Sequence, residues 1–190
     1  MNILHINACV RELSRTKKLA DYVLQKLNGQ VVEINLEQAN LTPLTDKMLM
    51  KRDELIAKGD YDDAMFDNAK LFKQADTILI SAPFWDFSFP ASLKCFIENI
   101  NINGLIFSYS KEGIPQGLCN AKNLIYVTTA GGFISNDEYG FGYIKTLAKT
   151  FYGIENVYCI KAEGLDIFGA DVESILQKAK HNIDEIFPLD

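Results

Sequence analysis

Runs of apolar residues alternate with segments of helical periodicity along most of the chain. The apolar runs are short and rich in branched side chains, which predicts strands at 2–7, 31–36, 76–83, 123–132 and 156–165. Apolar residues spaced by three or four predict a helix from about Ser14 to Gly29 and further helices at 62–74, 90–101, 140–152 and 170–187. The polar stretch 37–61 is predicted to be a long connection that holds one or two short helices.

The strands are continuously apolar, as expected where helices cover both faces of a parallel sheet. Strands interleaved with helices predict the α/β class, as a three-layer sandwich with a five-stranded parallel sheet. Right-handed crossovers favour the doubly wound strand order 2-1-3-4-5. No internal repeat or low-complexity stretch interrupts the pattern, so residues 1–190 are expected to form one domain.

Composition narrows the function classes. The chain has 190 residues, of which 48% are hydrophobic, and a net charge of −6, which argues against nucleic acid or an anionic membrane as the main partner. No apolar run approaches the ~18 residues of a membrane span, and the N-terminus does not resemble a signal peptide, so a cytoplasmic protein is expected. The four cysteines lack C-x-x-C spacing and are expected to be free thiols. With only two histidines, no metal site is expected.

In a doubly wound sheet, ligands bind beyond the carboxyl ends of the strands, where the strand order reverses. The loop after the first strand, 8–16, contains neither G-x-G-x-x-G nor a P-loop motif. It offers Ser14, Arg15 and Thr16 at a helix start, where hydroxyls, a guanidinium and free amides suit one phosphate. The alternative is that Ser14 is simply the N-cap of the helix.

The loop after the third strand is unusually aromatic. Its residues Pro83, Phe84, Trp85, Asp86 and Phe87 are suited to flank a flat aromatic ligand. The alternatives are that these aromatic side chains belong to the core or to a dimer contact.

The loop after the fourth strand contains Thr129, Ala130, Gly131 and Gly132. Glycines permit close backbone approach, and successive N–H groups can bind the anionic edge of a ligand, although a plain glycine turn is the alternative. The three loops together predict a phosphate end and an aromatic end in one crevice. This combination favours flavin mononucleotide, FMN.

The ordered set of segments resembles the FMN-dependent NAD(P)H azoreductase and quinone-reductase family, whose fold is flavodoxin-like. The resemblance spans most of the chain. It rests on Ser14-Arg15-Thr16, "APFWDFSFPASLKCFIENI" (82–100), "GLIFSYSKEGIPQGL" (104–118), "TTAGG" (128–132) and "FYGIENVYCIKAEGL" (151–165). The resemblance implies a homodimer with one FMN per subunit, and a ping-pong cycle in which NADH or NADPH reduces the flavin and a quinone or azo compound reoxidises it.

Site residues follow from the same resemblance. It implies that residues 14–16 hold the phosphate, that residues 84–87 line the isoalloxazine ring and that residues 129–132 meet the pyrimidine edge. Phe107 resembles a substrate-pocket aromatic residue, and Tyr109 lies near it in sequence. Further candidates for a pocket wall are Phe133, Tyr139 and Phe141.

Three positions depart from the family pattern. Asp86 stands where an asparagine is common, and an ionised carboxylate only accepts hydrogen bonds and disfavours the anionic reduced flavin. Ala8-Cys9 stands where a serine is usual, which removes one phosphate contact. Ala130 occupies a position where some members carry arginine.

Other readings of the same residues remain open. An NAD(P)H-dependent FMN reductase or a nitroreductase-like enzyme would use the same site, so only substrate kinetics separate them. A single-electron carrier of the flavodoxin type is disfavoured by the absence of a T-x-T-G-x-T run in the first loop. A scaffold that has lost the cofactor is a further alternative, based on Asp86 and Ala8.

Overall fold

The computed structural model describes residues 1–188 and contains a parallel sheet of five strands in the order β2-β1-β3-β6-β7. The strands are β1 Asn2–Asn7, β2 Gln30–Asn35, β3 Thr77–Ser81, β6 Asn123–Thr129 and β7 Asn156–Ala162. Two short strands, β4 Phe107–Tyr109 and β5 Pro115–Gly117, form a separate antiparallel pair. Because β6 and β7 are the predicted fourth and fifth strands, the predicted order 2-1-3-4-5 is confirmed.

In the described part of the chain, six α-helices connect and cover the strands: α1 Arg15–Lys26, α2 Asp46–Lys58, α3 Asp67–Gln74, α4 Ala91–Ile100, α5 Tyr143–Leu147 and α6 Val172–Ile186. Side-chain caps fix three of the helix starts, since Ser14, Thr45 and Asp171 accept hydrogen bonds from the backbone N–H three residues later in the chain. The left-handed Gly59 ends α2. The connection 37–61 therefore holds one helix, as predicted.

The sheet is buried on both faces by two hydrophobic clusters. Along β3, Ile78 and Ile80 point into a cluster with α3, α4 and α5, whereas Leu79 points into a cluster with α1 and α6. This alternation is the two-residue period of a strand in a three-layer sandwich. It explains why the central strands read as continuous apolar runs in the sequence.

Several element boundaries differ from the prediction. The predicted helix 140–152 contains only the short α5, which is flanked by wider helical turns at Glu138–Gly142 and Ala148–Tyr152. Gly140 and Gly142 lie in the first of these turns, and glycine is a weak helix former. The predicted helix 62–74 begins as a tighter turn at Ala64–Phe66. The first helix ends at its C-cap Leu27 rather than at Gly29.

Among residues 1–188, no helix has both the length and the apolar character that a bilayer crossing requires.

Candidate functional site

The carboxyl ends of the four strands β1, β3, β6 and β7 bring their following loops to one edge of the sheet. Backbone hydrogen bonds continue the sheet into these loops: Ala8 N–H donates to Ser81 O at 2.8 Å, Phe84 N–H to Thr129 O at 3.0 Å and Ala130 N–H to Ala162 O at 2.9 Å. The start of each loop is therefore fixed by the strand beside it. The loops predicted from the sequence do converge.

A cavity of about 380 Å³ lies between these loops. Its lining combines a polar end at the start of α1 with aromatic and small residues from the loops after β3 and β6. The lining residues are Val10, Arg11, Leu13, Ser14, Arg15, Thr16, Pro83, Phe84, Trp85, Thr129, Ala130, Gly131, Leu165 and Asp166. Most of the predicted cofactor residues thus face one space.

A second cavity of about 280 Å³ adjoins the first. The two share Phe84, Ala130 and Gly131, and the second is completed by Asp86, Phe87, Gly132 and Phe133. Every predicted cofactor residue therefore lines one of the two cavities. Of the predicted wall aromatics, Phe133 does so as well.

The other predicted substrate and wall residues lie elsewhere. Phe107 is buried in the core and stacks on Phe151 with ring centroids 4.4 Å apart, and Tyr109 packs edge-on against Phe107 while remaining half exposed. Phe141 packs near the buried Tyr126. Neither Phe107 nor Tyr109 lines the two cavities.

The polar end of the first cavity is built by the start of α1. Ser14 Oγ accepts from Lys17 N–H at 3.3 Å, so the N-cap reading of Ser14 is correct, but its own O–H can still donate to a ligand. The buried Thr16 hydroxyl lies 2.7 Å from the Thr129 hydroxyl and joins the first loop to the glycine loop. The first N–H groups of an α-helix have no partner within the helix and attract anions.

Arg15 is one of the two arginines that line the first cavity, the other being Arg11. Arg15 Nη1 lies 2.8 Å from Asp166 Oδ1 and also donates to Leu165 O at 3.3 Å. The guanidinium therefore spans from α1 to the loop after β7. Both ionic side chains remain in contact with solvent, with 39% and 68% of the side chains exposed, so the pair itself adds little stability.

The aromatic loop contains a tight two-residue turn. Trp85 and Ser88 exchange two backbone hydrogen bonds of 3.1 and 2.7 Å, and the residues between them, Asp86 and Phe87, have φ of +49° and +64°. Such a turn favours Asn-Gly, because side chains other than Asn, Asp and Gly are strained at positive φ. Ser88 Oγ donates to Tyr139 O at 2.7 Å and holds the turn from behind.

This turn positions the aromatic rings. Phe84 and Phe87 meet edge to face with centroids 6.4 Å apart. Phe84 also packs beside Gly140, where an added Cβ would lie 3.6 Å from the ring. The rings of Trp85 and Phe87 are largely exposed and therefore free to contact a ligand.

A buried polar network supports the first loop from below. His5 Nε2 lies 2.9 Å from Ser81 Oγ, Ser81 Oγ donates to Asn7 Oδ1 at 3.3 Å, and Asn7 Nδ2 donates to Glu33 Oε1 at 2.8 Å. Asn7 Oδ1 also accepts from Cys9 N–H at 3.0 Å, which fixes the first turn of the loop. Burial lowers the pKa of His5, so its imidazole is neutral at neutral pH.

Cys9 stands in the first loop where the family pattern has serine. Its Sγ lies 3.7 Å from Ser81 Oγ, and burial raises the pKa of the thiol. The side chain therefore acts as a neutral packing group at neutral pH rather than as a nucleophile.

Sequence reasoning missed Asp166 and Leu165. Both follow β7, whose carboxyl end lies at the same edge as those of β1, β3 and β6. The topology that identified the other three loops could have included this one, but residues 163–166 contain no motif that by itself indicates a ligand. Val10, Arg11 and Leu13 were missed although they belong to the first loop, because Val10 and Leu13 carry no polar group and Arg11 lies before the helix start that pointed to Arg15.

Comparison with known proteins shows a family match and relatives that are similar over almost the whole chain. Residues 1–187 match the protein family described as having a flavodoxin-like fold. FMN-dependent NADH:quinone oxidoreductase 2 of Clostridium acetobutylicum is 35% identical over 193 aligned positions, covering 94% of this chain and 95% of the relative. The FMN-dependent NADH:quinone oxidoreductase of Lachnoclostridium phytofermentans is 31% identical, with 94% and 93% covered.

A solved structure is also similar to this chain over almost its whole length. The FMN-dependent NADH-azoreductase of Bacillus anthracis, determined in complex with FMN, superposes with a TM-score of 0.78 at 26% identity. The match covers 97% of this chain and 96% of that protein.

Proposed function

We propose, from the premise that this chain belongs to the flavodoxin-like fold family, that it is an FMN-dependent NADH:quinone oxidoreductase that also accepts azo compounds. One observation carries the proposal. All residues that the sequence assigned to FMN line two adjoining cavities at the carboxyl edge of the sheet; the first has a polar end and an aromatic end, and the second is lined mainly by aromatic and small residues. When bound, FMN supplies the chemistry of accepting and donating a hydride.

The polar end fits a phosphate monoester. Ser14 and Thr16 provide hydroxyl donors, Arg15 provides a charged donor, and the start of α1 adds backbone amides that have no partner within the helix. The hydroxyl contact between Thr16 and Thr129 fixes both loops before a ligand arrives. The chain thus binds the cofactor at the phosphate, and this contact sets where the rest of the cofactor lies in the site.

The aromatic end fits a flat ring. Phe84 and Trp85 provide the wall, and Gly132 leaves open space where a side chain would otherwise stand. The second cavity, with Phe87 and Phe133 beside it, offers room for a second planar molecule against the same ring position. We assign the nicotinamide of NADH and the quinone to this cavity in turn, as a ping-pong cycle requires.

The protein contributes position and exclusion of water rather than proton transfer. Within residues 1–188, the side chains that line the two cavities include no histidine, lysine or tyrosine, and their only carboxylates are Asp86 and Asp166. A hydride transfer between two bound rings needs no protein acid or base.

We further propose a homodimer. Large apolar side chains are exposed on the loops around the cavities, notably Leu13 (80%), Phe133 (75%) and Phe168 (105%). Exposed apolar side chains concentrated in one region mark association surfaces. Light scattering after gel filtration tests this, and a monomer at micromolar concentration would contradict it. The free thiols Cys9, Cys95, Cys119 and Cys159 support a reducing, cytoplasmic location.

The decisive experiment is reconstitution. The purified protein is expected to take up FMN, to lose the yellow colour with NADH in the absence of air, and to regain it on addition of a quinone. Steady-state rates with both substrates varied are expected to give parallel double-reciprocal lines. Failure to bind FMN would overturn the proposal, and reduction of free rather than bound FMN would favour a flavin reductase.

A matched pair of variants tests the phosphate end. Thr16→Val removes the hydroxyl that contacts Thr129 and is expected to weaken FMN binding about three- to tenfold, the value of one lost hydrogen bond. Thr16→Ser keeps the hydroxyl and is expected to bind FMN within about twofold of the wild type, because the hydrogen bond is retained. Equal behaviour of the two variants would contradict the assigned role.

A further inference from the structure

Asp166 lies inside the proposed phosphate end of the site although no motif pointed to it. Its carboxylate contacts the guanidinium of Arg15 at 2.8 Å, the group that the proposed function assigns to the phosphate. A carboxylate and a phosphate are the two anions that arginine binds with the same fork of N–H donors. The chain's own anion therefore occupies the partner that the cofactor needs.

The backbone holds Asp166 in this place. Three backbone hydrogen bonds join the loop after β7 to the glycine loop. They run from Asp166 N–H to Gly131 O at 2.9 Å, from Leu165 N–H to Ala130 O at 3.2 Å and from Gly164 N–H to Gly132 O at 3.0 Å. The carboxylate rests against Gly131, since an added Cβ there would meet Asp166 Oδ2 and lie 3.1 Å from Asp166 Cγ. The absence of a side chain at Gly131 is what admits the carboxylate.

We propose that Asp166 is the counter-ion of Arg15 in the absence of cofactor, and that the phosphate of the cofactor must displace this carboxylate from Arg15. Asp166 then sets the affinity for a flavin phosphate relative to the affinity for the same flavin without the phosphate. The inference rests on the proposed function. It adds a residue outside the three predicted loops, with a direction of effect opposite to that of an ordinary binding residue: its removal strengthens binding.

The size of the effect follows from charge. A flavin phosphate carries about −1.5 to −2 charges at neutral pH and would lie within a few ångströms of the carboxylate. At this solvent-exposed position, repulsion between the two anions and competition for Arg15 correspond to an affinity change of about three- to tenfold at low salt. Salt screens exposed charges, so the change shrinks as ionic strength rises.

The test compares two ligands that differ only in the phosphate. FMN and riboflavin binding to the cofactor-free protein is measured by flavin fluorescence for the wild type, Asp166→Asn, Arg15→Gln and the double variant. Asp166→Asn is expected to bind FMN about three- to tenfold more tightly at low salt and riboflavin unchanged within about twofold. Arg15→Gln is expected to weaken FMN alone, and in its background the gain from Asp166→Asn should shrink.

The outcomes separate the two proposals. If the wild type binds neither flavin, the proposed function and this inference both fail. If it binds FMN but Asp166→Asn leaves the preference for FMN over riboflavin unchanged or lowers it, only this inference fails. A lowered preference would mean that Asp166 holds Arg15 in place for the phosphate. An equal gain with and without Arg15 would overturn the competition between the two anions. Asp53→Asn, an exposed acid outside both cavities, is the control for net charge and should leave the ratio unchanged.

Discussion

The variant Phe87→Gly should be more stable than the variant Phe87→Ala, although nothing in the sequence around Phe87 indicates a position that favours glycine. The residue has φ of +64° in the two-residue turn between Trp85 and Ser88. A non-glycine residue in this region costs about 1–2 kcal/mol. Glycine avoids that cost but loses about 0.5–1 kcal/mol through the flexibility of the unfolded chain.

The difference leaves Phe87→Gly more stable than Phe87→Ala by about 0.5–1 kcal/mol. Both variants lose the same edge-to-face contact with Phe84, so this loss cancels in the comparison. For a protein of this size, the expected difference in Tm is about 1–4 °C, and urea unfolding should give the same order with an unchanged m-value.

Phe133 provides the matched control. It is also an exposed aromatic residue of the second cavity, but it is not among the described non-glycine residues with positive φ. The usual order, alanine at least as stable as glycine, is expected there. If Phe87→Ala proves as stable as Phe87→Gly, the turn does not hold position 87 in the left-handed region and the strain argument is refuted.

The same two variants separate strain from function. Both remove the ring that borders the second cavity, so both are expected to lower kcat/KM for the quinone alike, by about three- to tenfold for one aromatic contact. A loss that follows stability rather than the missing ring would show that Phe87 shapes the turn and does not contact the substrate.

Three further predictions concern other positions. Gly117→Ala is expected to lower the free energy of unfolding by about 1–3 kcal/mol or more, because the added Cβ would meet the backbone that follows α5. Gly132→Ala has open space for its Cβ and should change the free energy of unfolding by less than about 0.5 kcal/mol. Urea unfolding measures both variants. Asp86→Asn should raise the midpoint potential of bound FMN by roughly 20 mV, because a carboxylate opposes the charge of the reduced flavin, and an unchanged potential in a dye equilibration would exclude this role. Burial lowers the pKa of His5, so the unfolded chain takes up a proton first and stability should fall as pH drops below 6.5. His5→Gln should flatten this slope down to about 4.5. Below that pH Glu33 adds its own loss, because burial raises the pKa of its carboxyl but the hydrogen bond from Asn7 and the charge of Lys17 outweigh burial and lower it.

The sequence predicted the sheet and its binding edge because both depend on strong, repeated signals. A continuous apolar strand such as β3 and the positions of the loops after β1, β3 and β6 follow from periodicity and from the topology of parallel sheets. The hairpin of β4 and β5 was not predicted, since strands of three residues carry too few positions for a period. The positive φ of Phe87 was not predictable either, because no glycine marks the turn.

Part of the energetic cost that the fold carries lies at the loops that line the cavities and in the strand below them. Strand β1 buries the polar residues His5 and Asn7. Burial is tolerated because His5 Nε2 and the Asn7 amide have hydrogen-bond partners, whereas His5 Nδ1 has no hydrogen bond and lies 3.4 Å from Glu33 Oε2. The turn after β3 keeps a strained Phe87, and the loop after β7 keeps the carboxylate of Asp166 on Arg15. A chain selected for stability alone would favour apolar side chains in β1 and Asn-Gly in the turn. Strained and buried polar residues persist in proteins where the surrounding structure fixes them for a function. At these residues of the carboxyl edge, a substitution that raises stability is therefore expected to lower the affinity for the flavin or the quinone.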